Sequence, residues 1–205
     1  MCIRDRHNVT GRDGLAMLRN GEVDLAVGSM IDIPHDITYV PTFTYEPMLI
    51  TALDHPLARR KSVTLQEVSE CGLILPPRHL STWHIVDLVF RQHGLNYNVV
   101  LEAGGWEIIK RYVALGMGVS IVTSICLTGE EKLAAIPLTK YFPRRSYGVV
   151  LRRNKQLSPQ ARRFVQILDP DFFARPAAVS GQPGPARSGT RPSQDGLVGH
   201  DEALP

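Results

Sequence analysis

The sequence predicts an α/β protein: a mostly parallel sheet covered on both faces by helices, with right-handed connections. Three observations carry this expectation. Between Gly104 and Val122 the chain writes a helix, a glycine turn and a buried strand in succession. Ile108, Ile109, Tyr112 and Val113 recur at helical spacing, Gly116 stands where a left-handed C-terminal cap is wanted, and Val119 to Val122 is an apolar run suited to a parallel strand. Short apolar runs alternate with amphipathic stretches along the rest of the chain. Finally, 205 residues with 43% hydrophobic and 21% charged content can bury a core, as one domain or two small lobes.

Each element has its own local reason. A helix is expected from Arg12 to Asn20, capped by Thr10 with Asp13 three positions on, and ended by Gly21. Val23 to Gly28 reads as a strand, Ile37 to Phe43 as an extended segment of imperfect alternation, and Met48 to Leu53 as another strand. Thr64-Leu65-Gln66-Glu67 is a capping box opening a short helix. Gly72 to Leu75 is a brief strand stopped by Pro76 and Pro77. The helix Trp83 to His93 sets Ile85, Val86, Val89 and Phe90 on one face and ends at Gly94, and Asn98 to Leu101 is the strand leading into the crossover. Ser158 as cap and Pro159 at the first helical position precede the stripe Ala161, Phe164, Val165 and Leu168.

Composition excludes several classes. The net charge of +3, from 23 basic and 20 acidic residues, is too even to indicate nucleic acid. The basic pairs Arg144-Arg145, Arg152-Arg153 and Arg162-Arg163 read as solvated surface. Cys2, Cys71 and Cys126 lack the paired spacing of a metal site or disulfide framework and read as reduced thiols, the last two as small core residues. Apolar runs fall short of the ~18 to 20 residues a bilayer helix needs, so no membrane association is expected and a cytoplasmic address follows by default. Catalytic motifs are missing too. His79 and His84 are five apart, off one helical face and without a nearby carboxylate, and there is no serine elbow or P-loop. Gly116-Met117-Gly118 follows a helix, whereas a dinucleotide fingerprint precedes one. The expectation is a non-enzyme without cofactor or metal.

Open α/β sheets bind ligands beyond the carboxyl ends of their strands, and three places meet that rule. Ser29-Met30 follows the strand Val23 to Gly28; the Ser29 hydroxyl is either a ligand donor or an idle loop group. The run Arg78-His79-Leu80-Ser81-Thr82-Trp83 follows a strand and opens a helix. Its hydroxyls serve either as plain caps or, with the free N–H groups, as a seat for a sulfate, carboxylate or phosphate. Gly104-Gly105-Trp106 opens the crossover helix with bare backbone donors, and Trp106 is either a ligand wall or a core side chain.

The segment Ile109–Val122, "IKRYVALGMGVSIV", resembles the signature of the effector-binding domain of LysR-type transcriptional regulators. So do "GEVDLAVGS" at Gly21 to Ser29, "YEPMLITALDHPLA" at Tyr45 to Ala58, and "RRSYGVVLRRNKQLSPQARRFVQIL" at Arg144 to Leu168. The likeness runs in order from about Thr10 to Phe173 and leans toward the cysteine and sulfur-assimilation branch. It implies two Rossmann-like lobes of the periplasmic-binding-protein type joined by two crossover strands, the first lobe incomplete. Residues 1–46 would form part of the first lobe, 47–123 the second, and 124–173 the return to the first. The resemblance also implies a small, anionic metabolite bound in the cleft between lobes by Ser29, Met30, His79, Ser81, Thr82, Trp83, Gly104, Gly105 and Trp106, with Thr123 nearby. The sequence departs from the branch at Gly104-Gly105, where the branch tends to carry hydroxyls, so any donor there is a backbone N–H. A homo-oligomeric parent that meets DNA only through a separate N-terminal domain is implied as well.

That winged helix-turn-helix, its linker helix and the first strand and helix of the first lobe are missing before Thr10. Met1-Cys2-Ile3-Arg4-Asp5-Arg6 resembles translated adaptor sequence, so truncation is expected, with an unpaired strand edge and a poorly soluble first lobe as its cost. From Pro176 to Pro205 the chain has no aromatic residue and frequent Gly, Pro and Ser; this tail (174–205) is expected to be disordered. The competing reading is a solute-binding protein of a transport system, which shares the fold.

Overall fold

The computed structural model describes residues 5–174 and the backbone of residues 187 and 188. The first lobe contains α1 (Gly11–Asn20), β1 (Ala26–Gly28), β2 (Ile37–Tyr45), β8 (Arg145–Arg152) and α5 (Pro159–Leu168). The second contains β3 (Pro47–Ala52), α2 (Leu65–Ser69), β4 (Gly72–Leu75), α3 (Ser81–Gln92), β5 (Asn98–Glu102), α4 (Trp106–Ala114), β6 (Ser120–Thr123) and β7 (Leu133–Pro137). A two-residue strand, β9 (Arg187–Ser188), pairs in parallel with Phe43 and Thr44 of β2. Apart from that pair, the tail expected to be disordered lies outside the described residues.

Helix ends follow the local chemistry of the sequence. The Thr10 hydroxyl accepts the Asp13 N–H at the start of α1, and Gly21 closes it at φ 76°. Thr64 and Glu67 complete a reciprocal capping box on α2. Ser158 accepts the Ala161 N–H, with Pro159 opening α5.

The expectation of a mostly parallel sheet fails. In the first lobe β8 is antiparallel to both β1 and β2, and in the second β3 is antiparallel to both β6 and β7. Parallel pairing is confined to β4–β5, the bridge Leu73↔Val119 and the short β9 contact. The physical reason is that Glu46 alone separates β2 from β3, so that no helix intervenes, and β7 and β8 likewise follow without one. β7 also moves a boundary: it lies within 124–173, yet it pairs with β3 over its whole length, so the second lobe's sheet extends to Pro137.

Period-two alternation builds both cores. In β8, Val150 joins Leu18 of α1 on one face while Val149 joins Val165 of α5 on the other. In the second lobe, Leu49, Leu73 and Ile121 meet Val86 and Phe90 of α3, whereas Ile50, Ile74 and Val122 meet Ile109 and Val113 of α4. Helices α3 and α4 therefore cover opposite faces of one sheet. Not every residue of the expected stripes is buried: Ile108 is 49% and Phe164 47% exposed.

Candidate functional site

Helices α3 and α4 follow the carboxyl ends of the parallel neighbours β4 and β5, so both start at one edge of the second lobe. Pro76 and Pro77 stop β4, the Leu80 N–H turns back to the Pro77 carbonyl, and α3 begins at Ser81. Of the two readings open for Ser81 and Thr82, plain capping does not occur. Leu80 holds the N-cap without a side-chain bond, because the helix starts two residues earlier than its apolar periodicity indicates. The amides of Ser81, Thr82 and Trp83 thus lack intrahelical acceptors.

The two hydroxyls face a cation instead. Arg145 opens β8 opposite Tyr45, and its guanidinium reaches from that first-lobe strand to the second lobe, with Nη1 donating to Thr82 Oγ1 at 2.9 Å and Nη2 to Ser81 Oγ at 2.8 Å. It also lies 5.9 Å from the centre of the Tyr147 ring, which meets Tyr45 edge-on at 5.8 Å. Among the described residues no carboxylate pairs with Arg145, whereas its neighbour Arg144 pairs with Glu46 at 2.7 Å. A small recess at the lobe junction is lined by Thr82, Thr123 and Arg145 together with Pro47, Phe142 and Pro143. Thr123 is only 5% exposed there, at the end of β6 opposite Pro47.

The other expected residues separate into distinct settings. Ser29 is half-buried in the loop after β1. Met30 is drawn into the first-lobe core beside Leu18 and Ile37, where the Tyr39 hydroxyl donates to the Ser146 carbonyl at 2.9 Å. Burial pushes the Tyr39 phenol up to about 12. His79 is an exposed loop residue. Trp83 is a core side chain, 7% exposed, with the Arg78 guanidinium 5.0 Å from its ring centre; only its backbone N–H faces the helix end. Gly104 and Gly105 are exposed, Gly105 capping α4 at φ 84°, and Trp106 packs against the Ile50–Ile109 cluster rather than standing as a free wall.

Sequence reasoning missed Arg145, which it grouped with Arg144 as solvated surface. The available signal was alternation: in a strand starting at Arg145, neighbouring arginines point to opposite sides, so only one of the two can be a rim charge. It also missed Lys110, a buried cation on α4 bonded to the Cys126 carbonyl at 2.9 Å and to Glu131 at 2.8 Å. Among the described residues no cluster of ligating side chains suits a metal ion, and no helix is long and apolar enough to cross a membrane.

Two α/β lobes meeting at short crossovers, with hydroxyls, helix amides and one arginine at their junction, define a two-lobed effector-binding domain of the periplasmic-binding-protein type. The chain belongs to the LysR substrate binding domain family, whose model matches residues 7–172. Among curated relatives, the HTH-type transcriptional regulator SsuR of Burkholderia cenocepacia is 29% identical over 157 residues, covering 75% of this chain and 51% of the relative. The regulator CysB of the same organism is 29% identical, with 75% and 50% covered, and cbl of Escherichia coli is 27% identical, with 77% and 51% covered. The chain thus spans about half the length of these relatives. Among solved structures, the cofactor-binding domain of the Cbl transcriptional regulator superposes with a TM-score of 0.70 at 25% identity, covering 79% of this chain and 72% of that one. The Synechocystis CcmR regulatory domain in complex with 2-PG gives 0.68 at 25%, with 78% of each chain covered. The effector binding domain of QuiR in complex with shikimate gives 0.69 at 19%, covering 78% and 77%, and supports the fold alone.

Proposed function

We propose that this domain senses a small anionic metabolite held between its lobes, and that it serves a LysR-type, DNA-binding transcription regulator of the cytoplasm. The observation that carries the reading is the convergence of Arg145, Ser81, Thr82 and three free amides of α3 at one junction. A helix start and a guanidinium that no carboxylate neutralises among the described residues both favour negative charge, and neutral hydroxyls add geometry without adding charge. Thr123 lines the recess beside Arg145, and in this reading Ser29 and the backbone donors of Gly104, Gly105 and Trp106 form the outer part of the site, with His79 at its rim. The complex of the Synechocystis CcmR regulatory domain with 2-PG supports a small-molecule occupant. The named relatives are transcription regulators, which favours this role over that of a transport component or an enzyme. DNA contact through an N-terminal domain and assembly as a homo-oligomer belong to the proposed parent protein.

Calorimetric titration of the chain with sulfate, orthophosphate and small carboxylates tests the proposal. At least one anion should bind saturably, and Arg145→Ala should weaken it about tenfold or more, equivalent to ~1.4 kcal/mol. Equal affinity in both proteins would remove the junction from the site.

A further inference from the structure

We propose that the outer edge of β2, between its bulge and Glu46, is a docking site for an extended segment of the chain's own C-terminal tail, centred on Arg187 and Ser188. On one side β8 pairs with β2 from Ile37 to Tyr45; on the other, β9 pairs in parallel at Phe43 and Thr44. An open strand edge presents a row of backbone donors and acceptors, and an extended peptide that adds to it satisfies both partners at once.

The place of the pairing follows from the chemistry of the edge. At its start the Ile37 N–H is already taken by the Pro34 carbonyl at 3.0 Å. In the middle Pro41 has no N–H to offer, and the register shifts between Pro41 and Phe43. Thr42, at that shift, is only 4% exposed and donates its hydroxyl to the Val40 carbonyl at 3.4 Å. Prolines and bulges are devices that blunt an edge, and here they leave Phe43 and Thr44 as the stretch that accepts a strand. The side chains of that stretch are committed within the sheet, the Phe43 ring to Tyr45 at 6.4 Å and the Thr44 hydroxyl to Ser146 at 3.0 Å. Backbone is what remains to be recognised.

Backbone pairing over two residues selects no sequence and is too short to hold a free peptide. It suffices for a tethered one, because an intramolecular segment acts at an effective concentration on the order of millimolar. The chain from Ala174 to Arg187 reaches roughly 40 Å when extended, on the order of the domain's own diameter. Pro185 and Pro192 bracket the docking pair, and neither can donate to a ladder. The added strand therefore stays short and offers no long edge of its own to another molecule. Tether and brackets together assign the edge to this chain's tail rather than to a foreign peptide. Docked there, the tail covers β2 on the side away from Arg145, and it does so whether or not an anion occupies the lobe junction.

Amide exchange of the full 205-residue chain, followed by nuclear magnetic resonance, tests the docking. In the native chain at least one amide of the pair Phe43 and Thr44, and at least one of the pair Arg187 and Ser188, should exchange about tenfold or more slowly than in an unstructured peptide. Ser188→Pro removes a donor from the tail and should release the β2 amides, with the melting temperature reporting that the domain itself stays folded. Val198→Pro, in the same tail but away from the pair, should leave them protected. Unstructured exchange at both Arg187 and Ser188 in the native chain, or β2 protection that Ser188→Pro does not change, overturns the proposal. Dilution separates the chain's own tail from that of a second copy. Protection that is constant on dilution supports docking within one chain, and protection that falls with it assigns the edge to another copy and contradicts the proposal.

Discussion

Lys110 and Glu131 form a 2.8 Å ion pair across 21 residues of sequence, between α4 and the loop that follows β6, with the Lys110 side chain only 5% exposed. The ammonium also bonds the Cys126 carbonyl, and the Glu131 carboxylate accepts the Thr128 and Gly129 N–H groups. This cluster fixes the middle of α4 against the turn that follows β6, the strand that carries Thr123. Removing one partner strands the other in a poorly solvated place. Lys110→Met should therefore cost about 2 to 4 kcal/mol in chemical denaturation. A loss within ~0.5 kcal/mol, the range of an ordinary surface substitution, would show the cluster to be dispensable.

The same pair sets an acid dependence. Burial works to raise the Glu131 carboxyl, but the hydrogen bonds from Lys110 and from the Thr128 backbone outweigh it and hold the group well below the ordinary carboxylate range. A carboxyl whose folded pKa is depressed contributes stability that is fully present above its unfolded value, near ~4.3, and is lost as pH falls toward the folded value. Melting temperatures should drop more steeply below about pH 4.5 in the native protein than in Glu131→Gln. Parallel curves would contradict this assignment.

Gly118 is a packing requirement. A Cβ there would lie 2.6 Å from the Gly72 carbonyl oxygen and 3.1 Å from Val100 Cγ2, in the place where Val119 bridges β4. Gly116, by contrast, has open space and needs only its left-handed φ of 75°. Gly118→Ala should cost roughly 2 to 3 kcal/mol by overpacking, and Gly116→Ala about 1 kcal/mol by backbone strain. Urea midpoints in the reverse order would refute the distinction.

Strand β1 pairs on one side only, with β8, among the described residues, and Val27 on it is 54% exposed. An apolar, half-paired edge invites association between copies. Val27→Lys should lower light scattering of concentrated samples without lowering the melting temperature. A native chain that stays monodisperse would show the edge to be harmless.

Thr82 is the hydroxyl whose loss separates capping from recognition. Because Leu80, not Thr82, occupies the N-cap, Thr82→Val should leave stability nearly unchanged while weakening the bound anion by about 1 to 3 kcal/mol. A large drop in stability with intact affinity would reverse the roles.

Much of this molecule was readable from local sequence because local rules decide it. Thr10, Thr64 and Ser158 cap the helices expected of them, and Gly21 and Gly116 take the left-handed turns expected of them. Partnership between distant strands was not readable. Antiparallel pairing of β8 with β1 and β2 depends on residues 100 or more positions apart, and the single-residue connection at Glu46 leaves no signature of its own. The site divides along the same line. Ser81, Thr82 and Thr123 were visible as polar groups at strand and helix ends, whereas Arg145 acquires its meaning only when the fold carries β8 back beside α3. Trp106, which the sequence left open between ligand wall and core side chain, packs against a core, as do the side chains of Trp83 and Met30, because an apolar side chain next to a site is indistinguishable in sequence from one packed beneath it.

Amide resonances of Ser81, Thr82 and Trp83, followed while sulfate, orthophosphate or a small carboxylate is titrated in, test the junction most directly. Saturable shifts confined to these three amides and the Arg145 side chain, absent from Arg145→Ala, are the expected result. Shifts centred on another surface, with these amides unmoved, would contradict an anion seat between Arg145 and α3.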